Sequence, residues 1–129
     1  MKFALQINTS PGQSDAGFRA YQFIVAALAQ QHDIVRVFFY HDGIYHAFKH
    51  AYPVNGETAL VELWSHLAKL HELDLVVCIS AAQRRGLLHG DEAERRGKVD
   101  NELADGFRIS GLSQLVEAML MADRFMVFA

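Results

Sequence analysis

At 129 residues, 51% of them apolar, the chain is about the length of one ordinary domain and can bury a core without disulfides or metal, so residues 1–129 are expected to form one domain. The aliphatic residues lie in short blocks with no run of about 20, which excludes a membrane-spanning helix, and residues 1–7 are too short for the apolar part of a secretory signal, so a soluble cytoplasmic protein is expected. The net charge is −3, and the cations are scattered apart from Arg84-Arg85 and Arg95-Arg96, so there is no basic stripe to grip a nucleic-acid backbone and protein partners are favoured.

Short blocks of Val, Ile and Phe alternate with stretches of helical period, the pattern of parallel strands joined by crossover helices. The first strand is predicted over residues 2–8 and is broken by Thr9-Ser10-Pro11-Gly12. A helix over 16–31 follows, capped by Asp15, with Phe18, Tyr21, Phe23, Ile24, Ala27 and Leu28 mostly on one side. The second strand spans 34–40 and ends in the turn sequence His41-Asp42-Gly43. Residues 45–55 read as loop. The next helix spans 58–72, with Leu60, Leu63, Trp64, Leu67 and Leu70 at helical spacing, and leads into a third strand over 74–79.

Residues 80–86 read as a short helix closed by Gly86, with Ser80 as its cap. Asp91 and Glu94 stand at capping-box spacing and open another short helical piece. Residues 98–105 have little apolar content and are expected to be an exposed loop. A fourth strand over 107–110, a helix over 112–122 and a fifth strand over 124–128 complete the chain. Right-handed crossovers then favour an α/β fold with a doubly wound, flavodoxin-like, mainly parallel five-stranded sheet and helices on both faces. In such sheets the functional crevice lies beyond the carboxyl ends of the strands, where Cys78 is predicted to point.

Cys78 is the only cysteine. It is either a packed core thiol, cysteine being among the most buried residue types, or a reactive one. A reactive thiol works as its anion, which the N–H groups at the start of the following helix would favour, with Ala81 and Ala82 leaving room for a further sulfur atom. Arg84 and Arg85 are either further sources of positive potential or ordinary surface charges. His41, His46 and His50 share one segment but follow no ligand pattern, so no metal is predicted. Gly12, Gly106 and Gly111 make no GxGxxG or Walker-type loop, so no nucleotide cofactor is predicted either. Of the aromatic cluster Phe38, Phe39, Tyr40, Tyr45, Phe48 and Tyr52, the strand residues are expected in the core and part of the loop at an interface.

Four blocks resemble the DsrE-like family: Met1-Lys2-Phe3-Ala4-Leu5, residues 37–43 (Val-Phe-Phe-Tyr-His-Asp-Gly), residues 76–86 (Val-Val-Cys-Ile-Ser-Ala-Ala-Gln-Arg-Arg-Gly) and residues 109–118 (Ile-Ser-Gly-Leu-Ser-Gln-Leu-Val-Glu-Ala). The resemblance covers nearly the whole chain, and the cysteine block is its specific part; Ser80 and Ser113 stand where Ala and Gly are expected. It implies a sulfurtransferase that carries sulfur as a persulfide on Cys78, without cofactor or metal. It also implies a dimer of heterotrimers with TusB-like and TusC-like subunits, a TusA-like sulfur donor and a TusE-like acceptor on the way to 2-thiolation of the tRNA wobble uridine. The other branch of the family has DsrF-like and DsrH-like subunits, a DsrC-like acceptor, and sulfur that goes to dissimilatory oxidation. With proteins as donor and acceptor, Cys78 is expected in a shallow, exposed pocket.

Overall fold

The computed structural model describes residues 1–53, 59–88, 94–97 and 102–129. Its elements run β1 (Lys2–Ile7), α1 (Ala16–Ala29), β2 (Asp33–Phe39), a 3₁₀ helix (His41–Ala47), α2 (Leu60–His71), β3 (Leu75–Cys78), α3 (Ile79–Arg84), β4 (Phe107–Ser110), α4 (Ser113–Met121) and β5 (Arg124–Phe128). The five strands form one sheet in the order β4-β3-β2-β1-β5, and every pairing is parallel.

This order says where the crossovers go. From β1 to β4 each strand is laid beside the one before, all in the same direction, so right-handed connections put α1, α2 and α3 on one face. The step from β4 to β5 runs back across the sheet, which places α4 on the opposite face. Side-chain alternation along β2 agrees. Phe39 points to the first face and meets Trp64 of α2 edge-on at 5.4 Å, whereas Arg36 points to the second and donates from Nη1 to the Gln114 carbonyl of α4 at 2.9 Å.

The core is built from the short blocks that the sequence shows as strands. Val37, Phe38 and Phe39 of β2 and Leu75, Val76 and Val77 of β3 are buried with no exposed surface, as is Trp64. Burial of a large apolar side chain is worth about 1.5–3 kcal/mol, so these seven residues are a main source of stability. On α1 the helix approaches the sheet through its small residues. Ala16, Gly17, Ala20, Ile24 and Ala27 are buried, whereas Phe18 lies on the outside and stacks on Tyr21. The predicted apolar face is therefore rotated, because small side chains allow the closer approach. Asp15 occupies the N-cap position, but its carboxylate bonds Arg19 rather than a backbone N–H.

Two expectations about connections change. Residues 45–47 belong to the 3₁₀ helix rather than to a loop; Gly43 within it lies so close to the Ile7 carbonyl that a Cβ there would overlap it. In the segment read as exposed, residues 98–101 lie outside the described residues, but Leu103 and Ala104 are buried. They are held there by Lys49 N–H to the Glu102 carbonyl at 2.7 Å and Ala104 N–H to the Ala47 carbonyl at 2.9 Å, pairings between distant segments. The helical piece read from Asp91 lies outside the described residues as far as residue 93.

At the amino end of the sheet, Asp74 receives hydrogen bonds from Arg36 at 2.6 Å and from Arg108 at 2.7 and 3.0 Å. Burial pushes the Asp74 carboxyl up, and the bonds from Arg108 and Arg36 outweigh it, holding the group below the usual carboxylate range. Arg36 is itself buried. Asp74→Ala should therefore destabilise the protein by about 2 kcal/mol in urea unfolding at neutral pH, because it leaves a buried guanidinium short of an acceptor.

Candidate functional site around Cys78

β3 and β4 are neighbours whose following helices leave on opposite faces of the sheet. The crevice that ligands use in open α/β sheets forms at such a reversal, at the carboxyl ends of the strands. Cys78 is the last residue of β3 and is paired in register with Ser110, the last residue of β4. The expected position at the strand end therefore holds.

Its expected exposure does not. Cys78 is buried, with no exposed surface. The physical reason is that β3 is an inner strand, flanked by β2 and β4, and α3 begins at the very next residue, so no loop lifts the thiol out. Cys78 itself is the residue that precedes α3, and Ser80 lies within the helix rather than capping it. The Ser80 hydroxyl is instead 3.4 Å from the Cys78 sulfur. α3 has six residues, less than two turns, so the field of its dipole on the sulfur is small. Ala81 and Ala82 are both buried, in the same core cluster as Cys78.

Arg84 is exposed, and Arg85 is committed away from the sulfur. Arg85 donates from Nε and Nη2 to one carboxylate oxygen of Asp42 at 3.0 and 2.8 Å, and from Nη1 to the Ala81 carbonyl at 3.1 Å. The guanidinium holds the Asp42 carboxyl below its usual range. This bridge from the 3₁₀ helix to the end of α3 fastens the helix that covers Cys78. Sequence reasoning missed the pair, since 43 positions separate the two residues and nothing local in either block shows that they meet.

The three histidines take different surroundings. His46 is fully buried between Phe39 and Trp64, and its Nε2–H donates to the Thr9 carbonyl at 3.0 Å. His41 and His50 are exposed. Among the described residues no group of three or more His, Cys, Asp or Glu side chains comes together to hold a metal. Phe38 and Phe39 are core residues as expected, Tyr45 stacks on Phe48 at 5.3 Å, and Tyr52 is exposed. A cavity of about 630 Å³ beside Tyr45, Phe48 and Lys49 lies at the loops after β1 and β2, away from Cys78. Nearer the cysteine, a depression of about 260 Å³ runs between Ile79 and Gln83 of α3 and Phe107 and Ile109 of β4.

Comparison with known proteins places this geometry. The chain is 52% identical to the DsrE protein of Allochromatium vinosum, classed by name with the sulfurtransferases, over 99% of this chain and 98% of that one. It is 44% identical to the protein named sulfurtransferase TusD homolog of Pseudomonas aeruginosa, over 99% of this chain and 97% of the other. In structure it is similar to the YchN protein from E. coli, with a TM-score of 0.72 at 20% identity over 99% of both chains, a likeness of fold. The sequence pattern of the DsrE/DsrF-like family matches residues 1–128, and the chain belongs to that family.

Proposed function

We propose that this chain is a sulfurtransferase subunit of a sulfur relay, accepting sulfur as a persulfide on Cys78 and passing it to a protein acceptor. The observation that carries the reading is the position of the chain's only cysteine, at the sheet reversal between β3 and β4, in a family whose relatives are named sulfurtransferases. Two exchanges suffice. The Cys78 thiolate attacks the outer sulfur of a donor persulfide, a new S–S bond forms, and the donor leaves as a thiolate. An acceptor thiolate then attacks the same outer sulfur and Cys78 leaves as a thiolate. No electrons are gained or lost overall, so the scheme needs neither metal nor cofactor.

Because the thiol is buried, each exchange needs α3 to move or a partner to draw it aside. α3 has six residues and is held at its end by the Asp42–Arg85 pair, so a docking protein that competes for that pair would uncover the sulfur. The reading in its finer form has a TusA-like donor, a TusE-like acceptor and 2-thiolation of the tRNA wobble uridine, in the cytoplasm. A second reading, sulfur trafficking in dissimilatory oxidation with a DsrC-like acceptor, is favoured by the higher identity to DsrE, 52% against 44%.

A surface supports assembly with homologous subunits, TusB-like and TusC-like or DsrH-like and DsrF-like, in a dimer of heterotrimers. Leu112 and, on α4, Val116, Met119 and Leu120 recur at helical spacing and are exposed, with Met121 at the end of α4 and Val127 of β5 exposed as well. A contiguous apolar face of this kind marks an interaction site.

The test is transfer of labelled sulfur from a cysteine desulfurase and a TusA-like carrier to the chain with its partner subunits. Cys78→Ser should abolish labelling of this chain, whereas labelling that survives the substitution would sink the proposal.

A further inference from the structure

We propose that Ser80 is a positioning residue for the sulfur chemistry, its hydroxyl donating a hydrogen bond to the sulfur of Cys78 when that sulfur is anionic. The inference rests on the reading of Cys78 as the sulfur-accepting thiol and deepens it.

The contact joins two residues of opposite exposure. Cys78 has no exposed surface, and Ser80, two residues on, is exposed, yet its Oγ comes within 3.4 Å of Sγ. Cys78 is extended at φ −63° and ψ 124° and α3 begins at Ile79, so the backbone itself sets the spacing from strand end to first helical turn. When the thiol is neutral, either group can donate. A thiolate has no proton, so the bond then runs from the hydroxyl to the sulfur. Apart from the backbone N–H groups at the start of α3, the side chains near it among the described residues give such an anion little support: Val76, Val77, Ala81 and Ala82 are buried, apolar and in the same core cluster, and the Arg85 guanidinium is taken up by Asp42 and the Ala81 carbonyl. A charge in apolar surroundings is disfavoured unless a donor meets it, and a donor to the charged form favours that form.

In the accepting step the thiolate, aligned by Ser80, forms a bond to the outer sulfur of a donor persulfide. The donor's S–S bond breaks and the donor leaves as its thiolate with the electron pair. The hydroxyl proton stays on Ser80 throughout. This distinguishes a positioning residue from a general acid.

The test compares wild type, Ser80→Ala and Ser80→Thr in two measurements across a range of pH: iodoacetamide alkylation of Cys78, and uptake of sulfur from glutathione persulfide read by intact mass. Loss of the hydrogen bond should slow Ser80→Ala about three- to tenfold at pH 7 and move its rate curve to higher pH, while Ser80→Thr keeps the wild-type curve. A mere change of access scales the rate equally at every pH, so the position of the curve separates the two causes. Ser80→Ala and wild-type curves that superimpose after scaling overturn the role of Ser80 and leave Cys78 untouched. Wild-type protein that is alkylated but takes up no sulfur overturns the reading of Cys78 itself, and the proposal with it.

Discussion

Lowering the pH from 6.5 to 4 is expected to cost the protein about 3 kcal/mol of stability through one residue, His46, whose imidazole is held down to a pKa of about 4. Burial is the main cause. The ring lies between Phe39 and Trp64, its Nδ1 has no hydrogen-bond partner among the described residues, and Gly17 is packed so tightly on it that a Cβ there would overlap the imidazole. The bond from Nε2–H to the Thr9 carbonyl works the other way, favouring the charged form, and is outweighed. A proton added at Nδ1 would meet no acceptor among the described residues. The unfolded chain, with an ordinary imidazole near 6.5, therefore binds the proton first, and the His46 contribution is whole above pH 6.5, falls as the pH drops through that window, and levels off below about 4. The contributions of Asp74 and Asp42, whose carboxyls are lowered on folding, are present above the ordinary carboxylate value and are lost only as the pH falls further. Urea unfolding at pH 7 and pH 4.5 checks this, with His46→Gln as the control. The variant should lose most of the pH dependence in this interval; an unchanged slope would mean that other groups carry it.

Native Cys78 should react with iodoacetamide about a hundredfold more slowly than the same thiol in concentrated urea, because a local opening must come first. The residue has no exposed surface and lies between two parallel neighbours, under a helix tied down by Arg85 to Asp42 and to the Ala81 carbonyl. A factor of a hundred corresponds to about 2.8 kcal/mol for that opening, within the range for sub-global motions. Arg85→Ala should recover part of the rate without exposing the core as a whole. If the native thiol reacts at the denatured rate, α3 does not cover it. If only global unfolding exposes it, and the partner subunits and carrier do not change that, Cys78 is a core thiol and the chain an assembly subunit.

What sequence could tell here follows the range of each interaction. Phe107–Ser110 and Arg124–Phe128 match their expected spans, since hydrophobic runs bounded by Gly106, Gly111 and Ala122-Asp123 are local signals. The place of Cys78 at a strand end was legible for the same reason. Its burial was not, because that depends on β3 being an inner strand, a matter of which strands pair. The burial of Leu103 and Ala104 is of the same kind, arising from pairings with residues 47–49 far earlier in the chain. His46 carried no sign of its buried state, which is made by Gly17 on one side and Trp64 on the other. Ser80 suits a helix cap by type; it lies within the first turn instead, with its hydroxyl at Cys78, because the cap position falls two residues earlier, on Cys78 itself.

Intact-protein mass spectrometry, after incubation of the complex with a cysteine desulfurase, cysteine and a TusA-like carrier, tests the role of Cys78 most directly. The expected result is a gain of one sulfur atom on this chain, reversed by reductant and absent from Cys78→Ser. An unchanged mass with all partners present, or a gain that persists in Cys78→Ser, would contradict it.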